Sequence, residues 1–320
     1  MIESRIRSPL GSGPEGAPLE PAHNRSPPPL LRRLAGVVAG SPLMARGRAL
    51  MAHNWTDFEM PLSKWGKLAA GSYLILKDYA DGRFPPRFED QAAAYAAEQA
   101  YFSAIPGTTR ADAIARHCVK PFWGSAEFDE WIAGFTTLLR TFEDIGVRPG
   151  QMVLELGCGD GWMAEFLALS GYDVTGTTIS PDDVAIGATR VAALRQRGLP
   201  GRLRFVEAPM ETVDESLGRG SDYDAAFVFE ALHHAFDWRR AIHASGRCLK
   251  AGGWLVIANE PNMIHTFVSY RVARLTNTHE IGMSRGELVA EMRRAGFQEV
   301  RPLRPRFDDR IRSHWIVARK

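Results

Sequence analysis

The chain has 320 residues, 45% of them hydrophobic and 24% charged, the proportions of a globular protein with apolar material for one large or two modest cores. Formal net charge is +2, but the first 50 residues hold seven Arg against three acids, a net of +4 that leaves the body at −2; a body with no basic excess gives no nucleic-acid footprint. Three scattered cysteines (Cys118, Cys158, Cys248) argue against a disulfide framework or a zinc site, and no apolar run reaches the ~18 residues of a membrane span.

Residues 1–52 are rich in Pro, Gly, Ser and Arg around Pro27-Pro28-Pro29. Such a stretch buries too little apolar surface to offset its chain entropy. It is expected to be a disordered tail, with a basic docking arm as the functional alternative. Arg32-Arg33 followed by Leu34-Ala35-Gly36-Val37-Val38-Ala39 has the outline of a signal peptide, but it is short and far from Met1. A cytoplasmic protein is the expectation, with Met44 or Met51 as alternative starts. Residues 53–146 are expected to form a helical cap. Phe88 to Phe102 is Ala-rich with spaced aromatics, and Ala126 to Phe142 repeats Phe128, Trp131, Ile132, Phe135, Leu138, Leu139 and Phe142 at helical spacing.

From Val147 the pattern changes, and residues 147–320 are expected to form one further domain. Strands are expected at Val153–Leu156, Asp173–Thr177, Leu203–Val206, Ala225–Phe229 and Trp254–Ala258, with Gln298–Leu303 and His314–Ala318 as a closing hairpin. Helices alternate with them. One runs from Trp162 to Ser170 and stops at Gly171; one opens on Ser180-Pro181-Asp182-Asp183, with Ser as cap, Pro at the first position and acids in the first turn. A third covers Trp238 to Leu249. A fourth, Ser284 to Ala295, carries the capping-box pair Ser284 and Glu287 and a stop at Gly296. The alternation predicts an α/β fold, a doubly wound and mostly parallel seven-stranded Rossmann-like sheet with an N-terminal helical cap.

Val153-Leu154-Glu155-Leu156-Gly157-Cys158-Gly159-Asp160-Gly161-Trp162 joins a strand to a helix. Glycines there let the backbone turn sharply and meet a ligand with no Cβ in the way, and the helix start offers free N–H groups. A dinucleotide fingerprint needs Gly where Trp162 stands, and a P-loop needs Gly-Lys-Ser/Thr. The acid two residues before the first Gly suits a cationic, amine-bearing ligand rather than a pyrophosphate.

This loop resembles the first motif of the class I S-adenosylmethionine-dependent methyltransferases, and the resemblance covers about Val147 to Lys320. It implies S-adenosylmethionine as cofactor. The backbone of Gly157, Cys158 and Gly159 would hold its methionine part, Glu155 would attract its ammonium or sulfonium side, and Gly161 and Trp162 would open the helix beside it. The family's ribose-binding acid at the end of the second strand corresponds to Thr178, a weaker diol ligand; branches resembling cyclopropane fatty acid synthases also carry Thr there. Ile179 would press on the adenine. Pro209 stands at the family's adenine acid, so Glu207 or Glu211 takes that role, with Met210 offering backbone and an apolar face. After the fourth strand, Glu230 and the segment Leu232-His233-His234 resemble the small-molecule branch.

Methyl transfer from a sulfonium is an in-line displacement that needs an aligned, dehydrated nucleophile. A base is needed where the acceptor is a hydroxyl. His233, His234 and Glu260 are the first candidates, then His279 and Glu280; the competing reading for the two adjacent histidines is a hydrogen bond that fixes the loop. Residues 260–283 form an insertion that either closes over the substrate together with Lys120-Pro121-Phe122-Trp123 or is a plain helical insertion. No metal is expected. The acceptor is expected to be a small molecule or biosynthetic intermediate, with methylene transfer to a lipid, or an inactive cofactor-binding module, as alternatives.

Overall fold

A computed structural model describes residues 28–54, 62–86, 88, 90–101, 103–104, 108–199, 202–218, 222–279, 281–304 and 313–320. Seven strands form one sheet in the order β3-β2-β1-β4-β5-β7-β6: β1 Met152–Leu156, β2 Asp173–Thr178, β3 Leu203–Glu207, β4 Tyr223–Phe229, β5 Leu249–Glu260, β6 Glu299–Pro302 and β7 His314–Arg319. The first five pair in parallel, and β7 runs antiparallel between β5 and β6. The strand order reverses between β1 and β4. Ligands of open parallel sheets bind beyond the carboxyl ends of strands at such a reversal, so the loops after Leu156 and Phe229 face the position the topology favours.

The helices α7 Trp162–Leu169, α8 Pro181–Gln196, α9 Val213–Leu217, α10 Trp238–Cys248 and α12 Arg285–Arg294 connect the strands. Ser180 caps α8 by accepting from Asp183 N at 3.2 Å, as its sequence predicts. The expected capping box at Ser284 does not form: Ser284 makes no side-chain cap, and Glu287 reaches Arg239 at 3.3 Å instead. An interhelical ion pair has taken the carboxylate that the cap would have used.

The long helix α6, Ser125–Ile145, shifts the expected boundary at 146. Its Leu138, Phe142 and Ile145 are buried with Val153, Met163, Leu167 and Phe227 on one face of the sheet, so α6 packs as a layer of the sheet domain. The other face carries α10 and α12 over Leu154, Val228, Leu255 and Ile257.

The rest of the cap draws on two distant segments: α3 Lys64–Asp81 from the N-terminal half, and α11 Met263–Thr276 from the insertion after β5. At Gly71 an added Cβ would lie 1.6 Å from Phe267 O, so the two helix backbones meet where only a glycine fits. Tyr270 and Ala273 are buried with Leu74 and Ile75. Tyr270 donates to buried Asp78 at 3.1 Å, and Arg274 Nε lies 3.2 Å from the same carboxylate. The insertion therefore docks on α3. None of its described residues lines the cavities at the glycine loop, so the closure expected together with residues 120–123 is not formed here.

The disordered tail expected for 1–52 is corrected over its second half; residues 1–27 lie outside the described ones. Pro29–Gly40 forms α1 and Ala45–Asn54 forms α2. Ala35 and Ala39 of α1 and Met51 of α2 are buried, Arg32 Nε donates to Ala80 O at 3.0 Å, and Arg48 donates to Ala39 O at 2.8 Å. Composition argues about a chain on its own; here small residues let the helices dock on the α3 surface. Helices α4 Gln91–Gln99 and α5 Arg110–Val119 complete the set. No described helix is long and apolar enough to cross a membrane.

Candidate active site

The loop after β1 bends through three left-handed glycines, Gly157 (φ 63°), Gly159 (52°) and Gly161 (74°). They differ in what a side chain would meet. A Cβ on Gly157 would sit 2.8 Å from Ala231 Cβ and 3.2 Å from Met210 Cε, whereas one on Gly159 meets nothing within 4 Å. A Cβ on Gly161 would strike the Phe205 ring at 2.2 Å. Gly161 thus serves helix-to-sheet packing and lines neither cavity at the loop, which departs from its expected place among the cofactor ligands.

Two joined cavities surround Gly157. The first, about 140 Å³, is walled by Thr178, Ile179, Met210 and Glu211 with Tyr95, Glu98 and Gln99 of α4. The second, about 290 Å³, is walled by Glu155, Cys158, Trp162 and Glu230 with Tyr101, His117, Lys120 and Trp131. Both share Glu98, Gly157, Gly159 and His234. The structure so gathers Glu155, Gly157, Cys158, Gly159, Trp162, Thr178, Ile179, Met210, Glu211, Glu230 and His234 from the sequence-expected set. A larger depression of about 860 Å³ lies apart from the loop, beside Arg285 and Arg293.

Glu155 is 4% exposed, and its Oε2 has no hydrogen-bond partner in the structure. Burial, and then the neighbouring Asp160 charge, push its carboxyl well above the ordinary range. A buried carboxyl oxygen without a partner beside an open glycine turn could receive a cationic ligand group. Asp160 caps α7 by accepting from Trp162 N at 3.1 Å, and its backbone carbonyl accepts from Arg190 Nε at 2.8 Å. Lys120 Nζ stands 4.8 Å over the Trp131 ring, its charge opposing the rise at both acids.

Glu230 closes β4 with φ 49°, and Asn259 on the adjacent strand has φ 54°. Neither is glycine, and the Asn259 amide donates to Glu230 while Ser313 donates to Asn259. Two side-by-side residues thus share a sparsely populated backbone region at one strand end. Burial pushes the Glu230 carboxyl up to about 7, against the pull of Lys120.

His233 and Glu260 stand differently from their expected catalytic part. Glu260 is fully buried and accepts from Ala231 N (2.7 Å), Leu232 N (2.8 Å) and His233 N (3.3 Å), and its Oε2 lies 2.9 Å from His233 Nδ1. Burial alone would raise its pKa, but the His233 contacts and the backbone donors outweigh it and hold it below the ordinary range. Every lone pair in reach is engaged, and neither residue lines either cavity. This pair is a latch that fixes the loop after β4, the alternative that the sequence left open. His279 sits at the edge: its backbone N donates to Glu98 at 3.0 Å. Glu280 lies outside the described residues.

Helix α4 supplies what the sequence did not reveal. Tyr95 donates to Glu211, whose other oxygen accepts from Asp237 N at 3.0 Å. Gln99 donates to Ile179 O at 2.6 Å, and Glu98 Oε2 lies 2.9 Å from His234 Nδ1. Gln91, Tyr95, Glu98 and Gln99 share one face at helical spacing, the one available clue, while the Ala-rich remainder reads as plain packing. Glu207, weighed as a substitute adenine acid, is exposed at the end of β3 and lines neither cavity. Among the described residues no cluster of three or more His, Cys, Asp or Glu could hold a metal.

A family model described as a methyltransferase domain matches residues 127–301. A ubiquinone biosynthesis O-methyltransferase of Hydrogenovibrio crunogenus is 27% identical over 198 residues, 56% of this chain and 78% of the relative. Its counterpart from Bordetella avium is 27% identical over 162 residues, 48% and 64% of the two chains. The solved magnesium protoporphyrin IX methyltransferase of Synechocystis superposes with a TM-score of 0.52 at 16% identity, over 71% of this chain and 99% of that one, a likeness of fold.

Proposed function

The chain belongs to the methyltransferase domain family as a class I, S-adenosylmethionine-dependent enzyme, and on that premise we propose that it methylates a hydroxyl oxygen of a small-molecule acceptor held between the glycine loop, Glu230 and Trp131. The observation that carries the reading is Glu155: a buried carboxylate with an unpartnered oxygen, set against a turn that a Cβ at Gly157 would fill. Both features suit the ammonium-bearing end of S-adenosylmethionine.

When bound, that cofactor supplies an electrophilic methyl group on a positively charged sulfur. Glu155 counters the positive charge and the 157–159 backbone receives the methionine part. Thr178 and Ile179 meet the adenosine part, where the Thr178 hydroxyl already accepts from Ser180 N at 3.2 Å. Met210 and Glu211 flank it, and α4 closes the cavity from above. Trp131 and Phe229 wall the acceptor end and exclude water there.

The relatives' names point to oxygen as the nucleophile, and a hydroxyl acceptor needs a base. Glu230 and His234 are the titratable groups placed for it. Glu230, poised at about 7, is near the optimum for accepting a proton at neutral pH; His234 faces both cavities, with Glu98 behind it. Methylene transfer to a lipid would call for an apolar acceptor channel, and the walls here carry His117, Lys120, Asp160 and Glu230.

The test is calorimetric titration with S-adenosylmethionine and its demethylated product, followed by incubation with methyl-labelled cofactor and a panel of phenolic and aliphatic alcohols. Binding of both and label on oxygen is the expected result. Binding with label only on nitrogen or carbon removes the acceptor assignment; no binding removes the whole reading.

A further inference from the structure

Helix α1 is mounted with its large side chains outward. Small residues, Ala35 and Ala39, are buried against α3, and Gly36 approaches Ala80. The exposed side chains are Leu30 (69%), Leu34 (53%) and Val37 (72%), with Leu31 and Val38 beside them, and Leu43 (78%) follows in the turn to α2. On a helical wheel the five residues of α1 make an apolar stripe about 120° wide. A surface helix ordinarily turns that stripe inward, and a contiguous exposed apolar patch marks an interaction site.

Charge says what covers it. From Pro21 to Thr56 the sequence has five Arg and no Asp or Glu. Arg33 lies at the edge of the stripe and Arg46 is in the first turn of α2; both are exposed. Arg32 and Arg48 are turned inward to backbone carbonyls of α3 and α1. An apolar stripe edged by arginine and free of carboxylates fits the headgroup region of an anionic bilayer, where the stripe enters the acyl boundary and guanidinium groups meet phosphates. At 12 residues α1 lies on such a surface and does not span it.

We propose that the α1–α2 hairpin docks this protein on anionic lipid membranes. The hairpin precedes the 127–301 methyltransferase match, so the docking surface is an addition to the catalytic domain and independent of its acceptor.

Co-sedimentation of the full chain with vesicles tests this, using phosphatidylcholine alone and phosphatidylcholine with about one-third phosphatidylglycerol. The protein should pellet with the anionic vesicles and much less with the neutral ones. The triple variant Leu30→Ser/Leu34→Ser/Val37→Ser should lower partitioning about tenfold or more, and Arg33→Glu should weaken it in a salt-dependent way. These positions are solvent-facing, so S-adenosylmethionine affinity measured in parallel should stay unchanged and report an intact fold. The proposal is overturned if the parent chain stays in the supernatant with anionic vesicles, or if the triple variant pellets as the parent does. It is also overturned if light scattering shows a dimer that the triple variant dissolves, which would assign the stripe to a second copy. Vesicle binding that appears only after removal of residues 1–27 overturns it too, since that segment would then be the occupant.

Discussion

The Glu98 carboxylate on α4 lies 2.9 Å from Nδ1 of His234 in the loop after β4, so a helix outside the sheet completes the wall of the cavity at its carboxyl edge. Burial would push Glu98 up, but the His234 charge and the hydrogen bonds from His234 and His279 outweigh it and hold the group below its ordinary value. A depressed acid contributes stability that is whole above the ordinary carboxylate range and fades as pH falls through it. Glu98→Gln should therefore flatten the acid limb of the melting-temperature profile below about pH 5. It should also weaken S-adenosylmethionine binding about tenfold, or about 1.4 kcal/mol, as α4 loosens. An unchanged dissociation constant by calorimetry would show that α4 is not a roof over the cofactor.

Glu155 gives the opposite sign. Its carboxyl is raised by burial and by Asp160, so the folded ligand-free protein loses stability as pH climbs above the ordinary glutamate range. Glu155→Gln should stabilise that form near neutrality by about 1 kcal/mol and weaken cofactor affinity at least tenfold. Denaturant unfolding and calorimetry on the same preparation check the pair of effects. A variant that loses both, or neither, contradicts the assignment of Glu155 to the ligand.

Glu230→Gln keeps size and the Asn259 partner while removing the titration. With any acceptor that turns over, the variant should lose about 10²–10⁴ in kcat, and the parent's ionisation near 7 should vanish from the kcat profile. Cofactor affinity should change little. A retained ionisation would move the role of base to His234.

The latch predicts destabilisation. Glu260→Ala leaves three backbone N–H groups and His233 without their acceptor in a fully buried place. A cost of about 3–5 kcal/mol is expected, read by denaturant unfolding. His233→Asn should cost less, because the backbone donors keep Glu260 engaged.

Much of the sheet domain was legible because its evidence is local. Strand and helix periodicity and the Ser180 cap are each carried by residues a few positions apart, and both stand as read. What failed depends on partners far along the chain. The carboxylate of Glu260 is engaged by residues almost thirty positions earlier, and Glu287 chose Arg239 over the helix end. Tyr95, Glu98 and Gln99 gain meaning only where α4 docks. Composition alone hid α1 as well, since what orders it is the matching surface of α3.

The meeting of Gly71 with Phe267 O joins two stretches nearly two hundred residues apart into a single packed unit. The N-terminal portion of such a protein cannot be transplanted alone, since the incoming α3 would face a foreign α11 with a bulky residue wherever the glycine is not matched. Productive chimeras must cross over at both segments together, and natural divergence of the two should proceed in step.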